Sequence, residues 1–446
     1  MAIFRLQINK ILGTYSERLR AFHWNARLYL LFAILFGAAM GIQRLIFNFF
    51  ILSLGYDEAL LGTLITVNNL TALIAALPMG YLADRLGRKI SLISSAAVVS
   101  LSVAVMVLFP SPTLFVFINM IMGLAMSLSS VTMGPFLMEN SGDKERTYLF
   151  SFSSGLQMAA GFVGNWVGGY LPSWTGAYLQ VDAVNSKAYG SALIVTAIVA
   201  AFGILPLTLF RKTQLKPGQR SSIATLGYIK AHAGQLGRLV LPMLVTSIGA
   251  GLIMPFMNVF FRVQHHQPDR VIGTVFAWGS LAMGIGLIIA PVLADKVGKI
   301  RLVVITQGLS IPFLFLLGFS PWFFLSAIAY FIRLTLMNMS GPVYQTFVME
   351  EVEPQARATV ASLVSMASTF GWAFSPMVSG WIQVNYGFKL TFAITLVIYA
   401  FSIFLYWRFF LQGQPRHHTL TNLELATGMQ LKLSEQDPPA QIDPVG

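Results

Sequence analysis

Gly80-Tyr81-Leu82-Ala83-Asp84-Arg85-Leu86-Gly87-Arg88-Lys89 is a short charged turn that closes a long apolar run. It recurs 211 residues later as Pro291-Val292-Leu293-Ala294-Asp295-Lys296-Val297-Gly298-Lys299, with the acid, the bases and the second glycine in register. The same offset pairs Gly62-Thr63 with Gly273-Thr274, Met138-Glu139 with Met349-Glu350, Arg146 with Arg357, and Gly169 with Gly380. One offset held across separate segments without a gap marks an internal duplication, and a period this long makes each copy half of the chain.

The solvent for those halves follows from composition. Of 446 residues, 56% are hydrophobic and only 10% charged, with a mean hydropathy of +0.69. A soluble domain has no use for so much apolar surface, so the chain is expected in a bilayer. Twelve apolar runs of spanning length are expected at 28–53, 59–83, 90–109, 112–138, 147–172, 190–210, 238–262, 271–293, 302–319, 321–348, 358–382 and 388–410. They must be helical, because an isolated strand leaves its backbone groups unpaired in lipid. The expected fold is therefore all-α and membrane-integral, with six helices in each of two pseudo-symmetric halves.

The net charge of +12 is a matter of topology. Of the Lys and Arg, only Lys187, Arg262, Arg270 and Lys389 fall on the face opposite the charged turns, and Arg44 and Arg333 lie inside spans. This asymmetry is the positive-inside rule and puts both termini in the cytoplasm, most simply at the inner (cell) membrane. It also disposes of a nucleic-acid partner. There is no cysteine, hence no disulfide or thiolate site. Residues 1–27 are too charged for a cleavable signal, and an apolar stripe through Phe4, Ile8, Ile11, Tyr15, Leu19 and Phe22 suits a helix on the inner leaflet. The domains expected are this segment, a half at 28–210, a polar cytoplasmic connector at 211–237 with a surface helix near Ile223 to Leu236, a second half at 238–410, and a tail at 411–446 whose composition suits disorder.

Gly80 to Lys89 resembles the signature of the major facilitator superfamily between its second and third helices, G-x-x-x-D-R/K-x-G-R/K-R/K, at every specified position. The second copy departs from it, with Pro291 for the first glycine and Ile300 for the last base. The resemblance covers about Arg27 to Leu411 and implies a twelve-helix secondary transporter working by alternating access. It further implies that Gly80, Asp84, Arg85, Gly87 and Arg88, with Glu139, Arg146, Asp295, Gly298, Glu350 and Arg357, form a conformational latch. That latch joins the halves on the cytoplasmic side when the cavity faces outward and parts when it faces inward. Physically, the glycines permit a tight turn, and Asp84 can accept hydrogen bonds at a helix N-terminus. Gly164-Asn165-Trp166-Val167-Gly168-Gly169 resembles the helix 5 motif of drug–proton antiporters without its proline, and Ser375 to Gly380 is a relative of it. Pure packing explains both, yet they tilt the reading towards export. Asn119 replaces the helix 4 arginine of those antiporters, which weakens the usual proton-coupling machinery.

An ionisable side chain inside a span is a functional candidate by default. No carboxylate lies mid-span, but Arg44 and Arg333 do. Arg44 is about 16 Å from the outer boundary at Gly55, and Arg333 about 18 Å from that at Pro321, so both sit near the midplane. If helices 1, 4, 7 and 10 line the cavity as in the family, two guanidinium groups at one height suit a carboxylate, phosphate or sulfonate. Asn48, Asn119, Asn258 and Asn338 on those helices are further candidate contacts. Methionines on helices 4, 7 and 10, Met122, Met254 and Met337 among them, suit an amphiphile, though filler in the bundle explains them too.

The expected function is a secondary active or facilitative transporter of an organic anion or anionic amphiphile. The alternatives are a polyspecific drug exporter with structural arginines and a non-transporting sensor on the same fold. No enzyme, cofactor or metal site is expected, because the six histidines lie in loops and tails without ligand spacing. The expected partners are a small molecule, the bilayer, and protons or a counter-anion as coupling ion. The chain is expected to be a monomer.

Overall fold

The computed structural model describes residues 22–142, 146–211, 231–353 and 357–412. The N-terminal stripe before Phe22, the connector residues Ile223 to Lys230 and the tail beyond Gln412 lie outside them. Twelve helices run up and down: α1 (Trp24–Ser53), α2 (Glu58–Leu86), α3 (Arg88–Leu108), α4 (Pro112–Glu139), α5 (Arg146–Leu179) and α6 (Ser186–Thr208) form the first half. The second half is α7 (Ala233–His265), α8 (Asp269–Val297), α9 (Lys299–Phe319), α10 (Phe323–Glu350), α11 (Arg357–Tyr386) and α12 (Phe388–Phe410). Ten of them are long and apolar enough to cross a membrane. The other two, α5 and α11, are as long but richer in Gly, Ser, Asn and Gln, which suits helices packed against other helices.

Local chemistry sets the ends. Asp57 and Ser111 accept hydrogen bonds from Leu60 N (2.9 Å) and Leu114 N (3.3 Å), capping α2 and α4. Gly87 (φ 81°) and Gly298 (φ 89°) make the α2–α3 and α8–α9 turns in a conformation that favours glycine. Several helices outrun the sequence reading, and two do so through a proline or a break. Helix α5 continues through Pro172 to Leu179, since a membrane helix tolerates proline where neighbours re-satisfy its backbone. Helix α7 continues to His265 after a short 3-10 break at Met254–Phe256, centred on Pro255.

Both halves are wired alike. In the first, α1 packs on α5 and α6, and α4 packs on α2 and α3; in the second, α7 packs on α11 and α12, and α10 on α8 and α9. The halves meet through α2–α11 and α5–α8, and the duplicated glycines lie in those seams. A Cβ on Gly62 would strike the backbone of Pro376, and one on Gly380 that of Glu58. In the related seam, a Cβ on Gly169 would come within 2.8 Å of the Asp269 carbonyl, and one on Gly273 within 2.7 Å of the Asn165 carbonyl. Asn69 Nδ2 also donates to the Trp372 carbonyl (3.0 Å), and Met377 N to Thr66 Oγ1 (3.0 Å).

These contacts end partway along the bundle. At the end opposite the charged turns, one apolar core runs through both halves, including Leu45 and Phe49 of α1 with Phe256 and Phe260 of α7. At the charged end there are two separate cores, one around Tyr29 and Phe136, the other around Tyr344 and Tyr406. There Leu77 is 87% and Ile288 77% exposed, and among the described residues nothing beyond the local chain lies within 4 Å of where a Cβ on Gly80 or Gly298 would sit. The halves are closed together at one end and parted at the other. Gly380→Val is therefore expected to lower the unfolding midpoint in detergent through an overpacking cost of about 1–3 kcal/mol. Gly80→Ala in the same assay should be within about 0.5 kcal/mol of the parent.

Candidate functional site

The break in α7 faces α1 across the closed end. A proline offers no N–H and its ring displaces the helix, so the carbonyl in the break seeks a new donor. Asn48 supplies it: Nδ2 donates to the Pro255 carbonyl (2.8 Å) and to Asn258 Oδ1 (2.9 Å). Asn258 Nδ2 answers by donating to the Leu45 carbonyl (2.8 Å). Both asparagines are buried. Their amide donors are committed here to a clasp between the halves, the interhelical packing role that asparagine in a span also has.

Next to the clasp is a charged cluster that sequence reasoning missed. Arg262 of α7 pairs with Asp269 at the start of α8 and donates to the Tyr189 hydroxyl of α6. Tyr189 in turn donates to Asp269 Oδ2 (2.6 Å), and the guanidinium carbon lies 3.6 Å from the Phe49 ring centroid. Arg262 and Asp269 belong to one half, Tyr189 and Phe49 to the other. The only sequence signal was two opposite charges flanking the α7–α8 turn, and these read as loop residues.

Deeper in the bundle, Arg333 on α10 is 1% exposed. Its guanidinium lies 5.1 Å from the Tyr399 ring centroid, within reach of that tyrosine's hydroxyl, and Nη1 donates to the Met254 sulfur (3.8 Å). Nε and Nη2 are buried with no hydrogen-bond partner, and no carboxylate pairs with Arg333 among the described residues. Those two nitrogens form one edge of the guanidinium, the edge that grips a planar oxyanion with two parallel bonds. Arg44 on α1 is exposed although it is flanked along its helix by buried residues. Tyr330, beside Arg333 on α10, lies within the electrostatic reach of both arginines.

Two other candidates point elsewhere. Asn119 is buried and donates to its own helix at Phe115 O (2.9 Å) and to the Met106 sulfur of α3 (3.6 Å), so it is used inside the first half. Asn338 is half-buried and donates to Leu334 O of its own helix (2.8 Å).

The model of the Major Facilitator Superfamily matches residues 29–243 and again 239–435. The chain belongs to the major facilitator superfamily. It is 23% identical over 403 residues to the multidrug resistance protein MdtG of Dickeya zeae (strain Ech586), covering 86% of this chain and 94% of that one. It is 24% identical to the protein of the same name from Enterobacter lignolyticus (strain SCF1), covering 76% and 80%. Among solved structures it resembles a bacterial homolog of the human lysosomal transporter Spinster in an inward-facing, unoccupied conformation (TM-score 0.71, 14% identity, 90% and 99% covered). It also resembles the xylose transporter XylE from E. coli (TM-score 0.67, 17% identity, 90% and 99% covered). This superfamily member is a multi-pass integral membrane transporter of a small molecule, not an enzyme.

The superfamily turn at the parted end pairs within each half. Arg88 bonds Asp84 Oδ1 (2.8 Å) and Glu139 Oε1 (3.1 Å), and Lys299 pairs with Glu350, the repeat-related contact. Asp84 is 69% exposed at its side chain and, among the described residues, pairs with Arg88 of its own half. Arg85 lies over the Tyr81 ring (5.7 Å), and Asp295 is exposed. Lys89 donates to the Thr208 (2.6 Å) and Phe210 (3.1 Å) carbonyls, neutralising the end of α6. Arg146 and Arg357 open α5 and α11, and their side chains lie outside the described residues.

Proposed function

We propose that this protein exports an organic anion, or an amphiphile with an anionic group, by alternating access, with Arg44 and Arg333 as its anion contacts. The observation that carries this reading is Arg333, a buried guanidinium whose Nε and Nη2 make no hydrogen bond and whose charge meets no carboxylate among the described residues. A charge left so in a membrane protein costs at least about 2.5–3.5 kcal/mol on the insertion scale, a cost that a ligand carboxylate offsets when it binds. The halves part at the basic end, which positive-inside topology makes cytoplasmic, so the conformation is inward-facing. Arg44, exposed on α1, meets the ligand first. Arg333 is sealed against Tyr399 and Met254, and the ligand reaches it as α7 and α12 shift. Asn48, Asn258, Arg262, Asp269 and Tyr189 form the outer gate. Asp84, Arg85, Arg88, Glu139 and Glu350, turning on Gly80, Gly87 and Gly298 with Asp295, Arg146 and Arg357 nearby, are a latch now open.

Such a carrier in the inner membrane, working as a monomer, needs no mid-membrane carboxylate if it exchanges its substrate for a counter-anion. Protons, by contrast, would have to act through groups at the helix ends. The names of the 23–24% identical relatives favour a second reading, a polyspecific drug exporter with structural arginines. Thermal stabilisation of the purified protein by matched panels of organic anions and lipophilic cations separates the two. A ligand specific to the folded protein raises the midpoint by mass action, by about 2.7 kcal/mol at a hundredfold excess over Kd. Anions should stabilise the wild type while cations do not. Stabilisation by cations alone would favour the drug reading.

A further inference from the structure

The ends of α7 and α12 at the basic face frame a half-open cavity of about 250 Å³ lined by Arg238, Arg408, Phe409 and Gln412. Both arginines are exposed, and neither makes an ion pair with a described residue. The place is fixed at the membrane boundary. Gln235, one turn before Arg238, donates to the Glu351 carbonyl (3.0 Å) at the end of α10, and the Phe410 ring packs on Phe347 (5.2 Å). Phe404 and Trp407, one turn and one residue before Arg408, are half exposed on the outside of the bundle, as aromatic residues are at a lipid interface.

The first half treats the equivalent place differently. Arg238 stands at the repeat offset from Arg27, and Arg27 Nε donates to the Phe22 carbonyl (3.0 Å). The neighbouring end of α6 is closed as well: Asn25 exchanges two hydrogen bonds with the Arg211 backbone (3.0 and 2.9 Å), and the Arg211 guanidinium lies over Trp24 (5.8 Å). One half thus fills the site with its own chain. Among the described residues, the other leaves two guanidinium groups around a cavity beside an aromatic, lipid-facing surface.

From this asymmetry we infer that the α7–α12 cavity binds the phosphodiester headgroup of an anionic phospholipid of the inner leaflet. Two converging arginines grip a phosphate through charge-assisted bonds, and basic pockets between helices on this face of a membrane suit such headgroups. Trp407 and Phe404 would lie along the upper acyl chains. A lipid there would tie α12 to the root of α7, the helix that carries both the break beside Arg333 and the Asn258 clasp. Binding would therefore bear on the transport cycle without touching the substrate path.

The test is native mass spectrometry of the delipidated full chain titrated with phosphatidylglycerol, phosphatidylcholine or inorganic phosphate. It compares the wild type with Arg238→Gln/Arg408→Gln and with a control of equal charge loss on the same face, Lys296→Gln/Arg301→Gln. The wild type should hold one phosphatidylglycerol at least ten times more tightly than phosphatidylcholine, the control should match it within twofold, and the cavity variant should lose that preference. The single variant Arg408→Gln, at an exposed position, gives an intermediate reading should the double variant prove unstable. Equal retention of phosphatidylglycerol by the cavity variant, no preference over phosphatidylcholine, or inorganic phosphate displacing the lipid at equal concentration would each overturn the assignment.

Discussion

Arg333→Gln is expected to abolish stabilisation by organic anions, and their transport, while leaving the ligand-free protein as stable as its parent or more so. The two effects diverge because of what surrounds the guanidinium. It is buried against Tyr399 and Met254, its Nε and Nη2 lack partners, and no carboxylate compensates its charge among the described residues. Removing an uncompensated buried charge relieves the fold of a desolvation cost. The same removal takes away a charge-assisted contact to the ligand worth about 1.5–3 kcal/mol, or roughly a 10- to 150-fold loss of affinity. A structural arginine behaves in the opposite way: its loss lowers the midpoint and leaves ligand selectivity unchanged. Unfolding midpoints measured with and without ligand, on one preparation of each protein, separate the cases.

Asp269→Asn should shift the transporter towards the outward-open state. Arg262 would keep its charge, held against Phe49 and Tyr189 at the seam between the halves, without the carboxylate that balances it. Breaking one side of a buried pair costs up to about 3 kcal/mol where one partner is still partly exposed, and the side chains of Arg262 and Asp269 are 22% and 8% exposed. Only the closed outer gate bears this cost, since an opened gate returns Arg262 to water. The conformational equilibrium should then move by up to about 150-fold. The chain has no cysteine, so spin labels on Val184→Cys and Trp322→Cys report the separation of the halves at the outer face. Both sites are exposed, in the α5–α6 and α9–α10 connections. The variant should show a longer distance population that is minor in its parent. Identical distributions would make the cluster a passive packing feature.

Those two expectations mark where sequence stopped. Gly62, Gly169, Gly273 and Gly380 were visible as a repeat, and the repeat is legible because two halves that meet by the same pseudo-symmetry need the same close approach twice. Arg44 and Arg333 were legible for a related reason: a charge in an apolar span has few physical explanations. What could not be read was pairing across the duplication. Asn48 and Asn258 read only as candidate contacts on cavity helices, because nothing local says that α7 breaks at Pro255 and offers a carbonyl to α1. Arg262 and Asp269 looked like loop charges, since their partners Phe49 and Tyr189 are far away in the chain. Pro172 looked like a helix end because the neighbours that support its backbone are not local either. Charges in span interiors and repeated glycines announce themselves, whereas gates are built from ordinary residues whose meaning lies in the other half.

The most direct measurement is uptake into proteoliposomes of three compounds sharing one aryl-alkyl body: a carboxylate, its neutral amide and the matching amine. Saturable uptake of the carboxylate alone, lost in Arg333→Gln, is the result expected of an anion carrier anchored by that arginine. Uptake of the amine or the amide at the rate of the carboxylate, in both proteins alike, would contradict it.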